Sequence, residues 1–185
     1  MLMDARELSD GQTLDCDVCI VGAGAAGIAM ACELDGSGLS VILLESGGTR
    51  FDKTIQELYQ GSTDDEGRHS PPDMYRKRMF GGSTTIWGGR CLPMDPIDFE
   101  KRDFVPHSGW PIGRRDLDTF YLKAQEYAEA GSFDYTAGEA FGPAAVPTIP
   151  GFDSHWIDTD RLERFSCPTD FGKRYQAVIK ASRTV

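Results

Sequence analysis

Apolar residues along the chain first gather in two short runs, at residues 17–21 and 41–44. Runs of this length predict buried parallel strands. Between them, residues 25–34 are rich in alanine, contain no proline and stop before Gly36, which predicts a crossover helix. The pattern therefore predicts a βαβ unit over residues 17–45.

The pattern farther along is less regular. Residues 46–78 predict one or two helical turns and then a polar loop. Residues 116–130 predict an amphipathic helix whose aromatic stripe belongs to the core. The apolar positions at helical spacing are Leu117, Phe120, Tyr121, Ala124, Tyr127 and Ala128.

The last third of the chain begins with a segment rich in glycine and proline, residues 131–160. A loop of that length in a compact domain usually packs against another element. A short strand is expected at residues 162–165 and a last helix at 170–182, with no closing element after it. Two or three strands make a small sheet for an α/β protein.

Composition narrows the class of protein. The chain has 185 residues, of which 40% are apolar and 26% charged, which predicts a soluble globular domain. Its net charge of −10 argues against nucleic-acid binding, and no apolar run has the length of a membrane span. Residues 1–14 form a polar tail without a signal sequence, so we expect a cytoplasmic protein.

The five cysteines show no framework spacing and are expected to be free thiols. Cys16 and Cys19 form a C-x-x-C pair, but Cys19 lies in a predicted strand, where a buried cysteine acts as a small apolar residue. No metal site is expected from the sequence.

A glycine motif connects the first predicted strand to the helix. Gly22, Gly24 and Gly27 have the spacing G-x-G-x-x-G, and Glu45 ends the second strand. Gly22 permits a tight turn, Gly24 lets the backbone approach a pyrophosphate, and Gly27 lets helix and strand pack closely. The helix amino end then holds the anion, and the Glu45 carboxylate accepts from ribose hydroxyls. The motif predicts dinucleotide binding.

A second glycine-rich motif, over residues 78–100, reads RMFGGSTTIWGGRCLPMDPIDFE and is followed by HSGWPIGRRDLDTFY at 107–121. Residues 81–84 can bring backbone N–H groups and hydroxyls to the same pyrophosphate from the opposite side. Together with DVCIVGAGAAGIAMACEL, these stretches resemble the glucose-methanol-choline family of FAD-dependent oxidoreductases, especially its sugar- and polyol-acting branch. The resemblance extends from about Asp17 to Val185.

The resemblance implies a Rossmann-like α/β FAD-binding domain of the two-dinucleotide-binding type. Residues 15–185 would be its amino-terminal part, with residues 91–160 as a wrapping segment, truncated before the rest of the sheet and the substrate domain. The candidate cofactor-binding residues are Gly22, Gly24, Ala25, Ala26, Gly27, Glu45, Ser46, Arg78, Gly81, Gly82, Ser83, Ile86, Trp87, Gly88 and Gly89.

The resemblance also implies that residues 86–89 run beside the isoalloxazine ring. Some sugar-oxidising members carry a flavin-linked histidine at the position matching Ile86, and isoleucine has no nucleophile, so we expect non-covalent FAD. Trp87 stands where many members have asparagine or histidine, which leaves the surroundings of the flavin's reactive edge open.

No catalytic residue is expected within these 185 residues. In the family, a histidine near the carboxyl terminus of a longer chain takes the alcohol proton as hydride passes to flavin N5. His69, His107 and His155 do not match it. The implied function of the complete protein is oxidation of a CH–OH group of a sugar or polyol-like alcohol, with an unknown electron acceptor.

Two alternatives stay open at this stage. The chain is a non-catalytic nucleotide-binding module, or one part of a split flavoprotein, if Val185 is its natural end. An NAD-dependent dehydrogenase shares the βαβ start and Glu45, but it has no use for the second glycine-rich motif.

Overall fold

A computed structural model of the chain describes residues 2–64 and 67–185. The fold is mixed α/β and divides into two compact units, one formed by the chain up to Trp87 together with Thr169–Val185, the other by Gly88–Pro168. Within the described ranges, no helix has both the length and the apolar character needed to cross a membrane. In chain order, the helices and strands are β1 (Val18–Val21), α1 (Ala25–Leu34), β2 (Val41–Leu44), α2 (Lys53–Gln56), β3 (Arg90–Cys91), α3 (Pro96–Phe99), α4 (Asp118–Ala128), α5 (Ala137–Phe141), β4 (Arg164–Phe165) and α6 (Phe171–Ala181).

The first unit is built on a parallel pair of strands joined by a helix. β1 and β2 pair from Val18 opposite Val41 to Val21 opposite Leu44, with α1 as their connection. Beside the first of these pairs, Ser40 donates from its backbone N–H and its hydroxyl to the Asp17 carboxylate, at 2.8 and 2.7 Å. These hydrogen bonds hold the pKa of Asp17 below its ordinary value.

The two strands are buried on one face only, which corrects the prediction of fully buried strands. Ile20 and Val41 are 6% and 5% exposed, whereas Val21 is 82% exposed and Cys19 is also exposed. Successive side chains of a strand point to opposite faces. Helices α1 and α6 pack against the same cluster around Ile20, so the other side chains of β1 stay open within the described residues.

The residues that follow α6 attach its carboxyl end to the core of the first unit. Val185 packs against the cluster of Ile20 and Val41. The backbone N–H of Val41 donates to the carbonyl of Thr184 at 2.8 Å, and the Ser182 hydroxyl donates to the Asp35 carboxylate at 2.6 Å. The carboxyl end of α6 is thereby joined to the start of β2.

The second unit contains a separate sheet of two short strands. β3 and β4 pair antiparallel, with Arg90 opposite Phe165. The strand expected at residues 162–165 therefore exists as Arg164–Phe165, but it pairs with β3 and not with β1 or β2. The segment expected to wrap another element has buried residues of its own, among them Tyr135.

Helix α4 differs from the predicted helix in what it buries. Phe120 is 64% exposed, whereas the buried residue of α4 is Gln125, so the expectation of an aromatic core stripe is wrong. The Gln125 amide donates to the carbonyls of Ala130 and Ser132 and accepts from the Tyr135 hydroxyl at 2.8 Å. A buried amide is tolerated when its donors and acceptor are satisfied in this way.

We expect Gly172→Ala in α6 to lower the melting temperature, because a methyl group at Gly172 would lie 2.5 Å from the carbonyl oxygen of Phe80. Gly138→Ala in α5 is the matched control, since a methyl group there would meet no described heavy atom within 4 Å. Alanine favours helix over glycine by about 1 kcal/mol, so the control should hold or raise the melting temperature. Thermal unfolding of both variants checks this, and equal melting temperatures would contradict the contact.

Candidate functional site

The first glycine-rich loop, between β1 and α1, depends on glycine at two positions. Gly22 has φ of +100°, and its backbone N–H donates to the carbonyl of Leu44 at 2.7 Å. A methyl group at Gly27 would lie 1.9 Å from the carbonyl oxygen of Gly22. This loop can fold over the carboxyl end of β1 only without side chains at these two residues.

Helix α1 begins without a side-chain cap. Its N-cap residue is Gly24, and its first turn contains no acidic residue within the described part of the chain. The other two helices of this unit are capped, α2 by Asp52 and α6 by Asp170. The first N–H groups of a helix have no intrahelical partner, so the amino end of α1 offers donors and a positive dipole to an anion.

Glu45 follows β2 and holds two loops together. One carboxylate oxygen accepts from the backbone N–H of Ala23 at 2.8 Å, and the other accepts from that of Gly47 at 2.9 Å. The Ser46 hydroxyl donates to the second oxygen as well, at 3.4 Å, and since a carboxylate has about four lone-pair positions, about one remains for a further hydroxyl donor. Glu45 is half-buried beside the amino end of α1. It is placed to orient the first loop and to accept from a ligand at once.

The second glycine-rich segment lies directly against the first. The backbone N–H of Gly81 donates to the carbonyl of Ala23 at 2.8 Å. A methyl group at Gly82 would lie 3.0 Å from Cα of Gly24. Both Gly81 and Gly82 have positive φ, at +96° and +55°. The two motifs, more than fifty residues apart in sequence, therefore form one backbone-lined surface at the carboxyl end of β1.

Ser46 and Arg78 meet at the side of this surface. Arg78 donates from Nη1 to the Ser46 hydroxyl at 2.9 Å, and its guanidinium lies over the Tyr59 ring at 4.1 Å from the ring centre. The Ser46 hydroxyl lies 3.4 Å from a carboxylate oxygen of Glu45. Nε of Arg78 is buried and has no hydrogen-bond partner among the residues that the structure describes. The site thus pairs a cation with the Glu45 carboxylate through one hydroxyl.

The remaining candidate residues of the second motif are divided between the two compact units. Ser83 is exposed, and its oxygen accepts from the backbone N–H of Lys77 at 3.2 Å, which leaves its proton to donate elsewhere. Ile86 is 45% exposed, and Trp87 donates from Nε1 to the carbonyl of Thr169 at 3.0 Å. Gly88 and Gly89 belong to the second unit.

Gly89 has a structural task in that unit. Its carbonyl accepts from the backbone N–H of Ser166 at 2.7 Å beside the pairing of β3 with β4. Its φ is +79°, and a methyl group on it would lie 2.6 Å from the carbonyl oxygen of Ser166. The remaining predicted site residues, from Gly22 to Trp87, lie in the first unit.

Sequence reasoning missed three residues that shape the site. The Gln56 amide donates to the carbonyls of Asp73 and Arg76 and accepts from the backbone N–H of Arg78. Tyr59 supports the Arg78 guanidinium, and Gly47 lets Arg78 approach, since a methyl group at Gly47 would lie 2.1 Å from the Arg78 carbonyl oxygen. The sequence did contain an indication of Gly47, because this residue directly follows the candidate residues Glu45 and Ser46. The sequence contained no indication of the roles of Gln56 and Tyr59, because their partners are distant along the chain.

The residues present fit a dinucleotide. A diphosphate needs a surface that its oxygens can approach closely, and a methyl group at Gly24 would meet no described heavy atom within 4 Å. The Nε of Arg78, which has no partner among the described residues, and the remaining lone pair of Glu45 add a donor and an acceptor at one side. His69, His107 and His155 are all exposed, and none of them was expected to be catalytic.

Comparison with known proteins finds oxidases. The chain is 29% identical over 116 residues to 6'''-hydroxyparomomycin C oxidase of Streptomyces lividus, covering 57% of this chain and 21% of that protein. It is 28% identical over 148 residues to paromamine 6'-oxidase of Streptomyces fradiae, covering 71% of this chain and 26% of that protein. The chain thus spans about a quarter of the length of these curated relatives.

One similar solved structure is also an oxidase by name, but the similarity covers less than half of this chain. The crystal structure of pyridoxine 4-oxidase from Mesorbium loti is 28% identical, with a TM-score of 0.32, over 46% of this chain and 20% of that chain. No model of a known protein family matches the chain. The relatives are oxidases by name.

We expect Glu45→Ala to destabilise the first unit even without a ligand, because it removes a charged acceptor from two backbone N–H groups. Hydrogen bonds to charged groups contribute about 1.5–3 kcal/mol. Glu57→Ala is the control, since its side chain is 47% exposed in a 4.0 Å ion pair with Lys53, a kind of pair worth little. Thermal unfolding of ligand-free protein should show a loss for Glu45→Ala alone, and equal losses would contradict the role of Glu45.

Proposed function

We propose that this chain binds FAD non-covalently in an oxidoreductase of the glucose-methanol-choline type. In the complete protein, the bound FAD would oxidise a CH–OH group of a sugar- or polyol-like alcohol. The observation that carries the proposal is the joining of two glycine-rich loops, Gly81 to Ala23, beside the uncapped amino end of α1.

The two loops favour FAD over a nicotinamide cofactor. One glycine-rich turn with a helix amino end is sufficient for the pyrophosphate in either case. The second loop adds the hydroxyl proton of Ser83 and further backbone next to Gly24. A nicotinamide dehydrogenase with the same βαβ start would not need this second surface, whereas the flavin family that the sequence resembles has both motifs.

Each part of the site has its own task in holding the cofactor. Gly24, Ala25 and Ala26 would present backbone N–H groups to the diphosphate, with Ser83 donating from the other side. Glu45 would accept from a ribose hydroxyl with the lone pair that Ala23, Gly47 and Ser46 leave free. FAD, when bound, supplies the acceptor for the hydride of the alcohol.

The substrate class follows from the sequence resemblance and from the relatives' names. Both curated relatives are oxidases of paromomycin-type compounds, and the solved neighbour is an oxidase of pyridoxine. Oxidation of an alcohol CH–OH group agrees with all three names, whereas the sugar- or polyol-like class rests on the resemblance to the sugar- and polyol-acting branch and on the two curated relatives.

We predict that Gly24→Ala lowers FAD affinity while leaving the fold intact. The added methyl group would have no described heavy atom within 4 Å, so it costs the protein nothing in packing, but it would occupy the space through which the diphosphate approaches. An affinity loss of about tenfold or more is expected, equivalent to about 1.4 kcal/mol. FAD titration of apoprotein, with a melting curve of each sample, measures both quantities.

Two controls define this test. Gly138→Ala should leave both affinity and melting temperature near those of the unsubstituted protein, since it also faces open space. Gly27→Ala should prevent folding, because its methyl group would lie 1.9 Å from the Gly22 carbonyl oxygen. If Gly24→Ala binds FAD as tightly as the unsubstituted protein, the diphosphate is not held at this loop.

We predict that acid denaturation of the holoprotein releases its flavin. Isoleucine has no nucleophilic atom, so Ile86 cannot carry a bond to the cofactor. After acid precipitation and centrifugation, the yellow absorbance should be found in the supernatant. Colour that stays with the pellet would show covalent attachment at another residue.

A further inference from the structure

We propose that Thr84 is a positioning residue, which fixes the second glycine-rich loop to the amino end of α6 and does not itself bind the cofactor. The proposal rests on the proposed function, since the loop matters for catalysis only if it holds FAD. Sequence reasoning assigned the hydroxyls of residues 81–84 to the pyrophosphate as a group, and the structure separates Thr84 from Ser83.

The Thr84 hydroxyl is fully engaged within the protein. It donates to the carbonyl of Gly81 at 2.6 Å and accepts from the backbone N–H of Phe171 at 3.1 Å. A hydroxyl has one proton to donate, and that proton is used. Thr84 is half-buried, whereas Ser83 is exposed and still has its proton. Ser83 is therefore suited to a phosphate oxygen, and Thr84 is suited to a structural tie.

Thr84 is bonded to the amino end of α6, and residues at this end contact the second loop at two further points. A methyl group at Gly81 would lie 2.7 Å from the backbone N of Gly172. Trp87 donates to the carbonyl of Thr169 and packs edge-on against Phe171, with ring centres 6.5 Å apart. The contacts of Gly81, Thr84 and Trp87 with residues 169–172 therefore support the loop at both of its ends and at its middle, in addition to its contact with Ala23 and Gly24.

The same helix also supports the βαβ unit. Ile179 of α6 packs on the cluster of Ile20 and Val41, and α6 packs along α1. Because one end of α6 meets the second loop and its body meets the first unit's core, α6 fixes the distance between the loop and the βαβ unit. Loosening Thr84 should let the second loop move away from Gly24, where the cofactor would bind.

Thr85 provides a matched control beside Thr84. Its hydroxyl donates to the carbonyl of Gly82 at 2.9 Å, as Thr84 donates to Gly81, and no hydrogen bond from it to α6 is present in the described residues. Valine at either position keeps the side-chain shape and removes the hydroxyl. The two substitutions therefore differ in the tie to Phe171.

The test measures amide hydrogen exchange and FAD affinity in the full-length protein and in Thr84→Val, Thr84→Ser and Thr85→Val. A hydrogen bond of ordinary strength changes exchange or affinity by about two- to tenfold. Thr84→Val should raise exchange of the Phe171 amide in apoprotein by this factor and weaken FAD binding similarly. Thr84→Ser should restore both, and Thr85→Val should leave the Phe171 amide unchanged. Thr84→Ala replaces Thr84→Val if the latter does not fold.

Other outcomes overturn the proposal. If Thr84→Val weakens FAD binding without changing exchange at Phe171, Thr84 is a direct ligand. If Thr84→Val changes neither the exchange of the Phe171 amide nor the FAD affinity, the hydrogen bond from Phe171 to Thr84 does not position the loop. An unsubstituted protein that binds no FAD contradicts the proposed function and the positioning role with it, whereas loss confined to the Thr84 variants concerns this inference alone.

Discussion

The backbone of Gly81 lies against the backbone of Ala23 and Gly24, and this contact determines what the first unit can hold. The hydrogen bond from Gly81 to Ala23 measures 2.8 Å, and a methyl group on Gly82 would lie 3.0 Å from Cα of Gly24, which is a tight contact. Two main-chain segments this close leave only backbone groups at the surface they share. Such a surface suits an anion with many oxygen acceptors, because main-chain N–H groups require no side-chain ordering to donate.

Two different interactions hold this contact in place. On one side, Glu45 accepts from Ala23 and Gly47 and so fixes the first loop to the end of β2. On the other side, the start of α6 receives the second loop through Thr84, Gly81 and Trp87. A charged acceptor next to the uncapped end of α1 could repel a bound diphosphate. The Arg78 guanidinium, linked to Glu45 through Ser46, offsets that charge.

The sequence predicted the local features of this arrangement well. The G-x-G-x-x-G spacing, the end of β2 at Glu45 and the helix after Asp170 all depend on residues close together in the chain, so their pattern is visible without a structure. The pairing of Arg78 with Ser46, the role of Gly172 and the partner of the strand near residue 164 join residues far apart. No local pattern could indicate them.

Two predictions were wrong for physical reasons. Periodicity placed the aromatic residues of α4 in the core, but the loop after the helix offers backbone carbonyls, so Gln125 is buried there with its amide satisfied. The run of apolar residues in β1 predicted a buried strand, yet α1 and α6 cover the same face and leave Val21 82% exposed. A run of apolar residues indicates that a strand can be buried. It does not indicate how many faces of the strand the described residues cover.

The account is tested most directly by comparing the binding of FAD, FMN and NAD⁺ to the same apoprotein by calorimetric titration. If the two loops hold a diphosphate and Glu45 holds the adenosine ribose, FAD should bind tightly, and FMN, which lacks both the diphosphate and the adenosine, should bind at least about a hundredfold more weakly, a difference of about 2.7 kcal/mol. NAD⁺ shares the diphosphate and the adenosine ribose but lacks the isoalloxazine ring that Ile86 and Trp87 would adjoin, so it should not displace FAD at equal concentration. Equal affinity for FMN and FAD, or displacement of FAD by NAD⁺, would contradict the assignment of this surface to FAD.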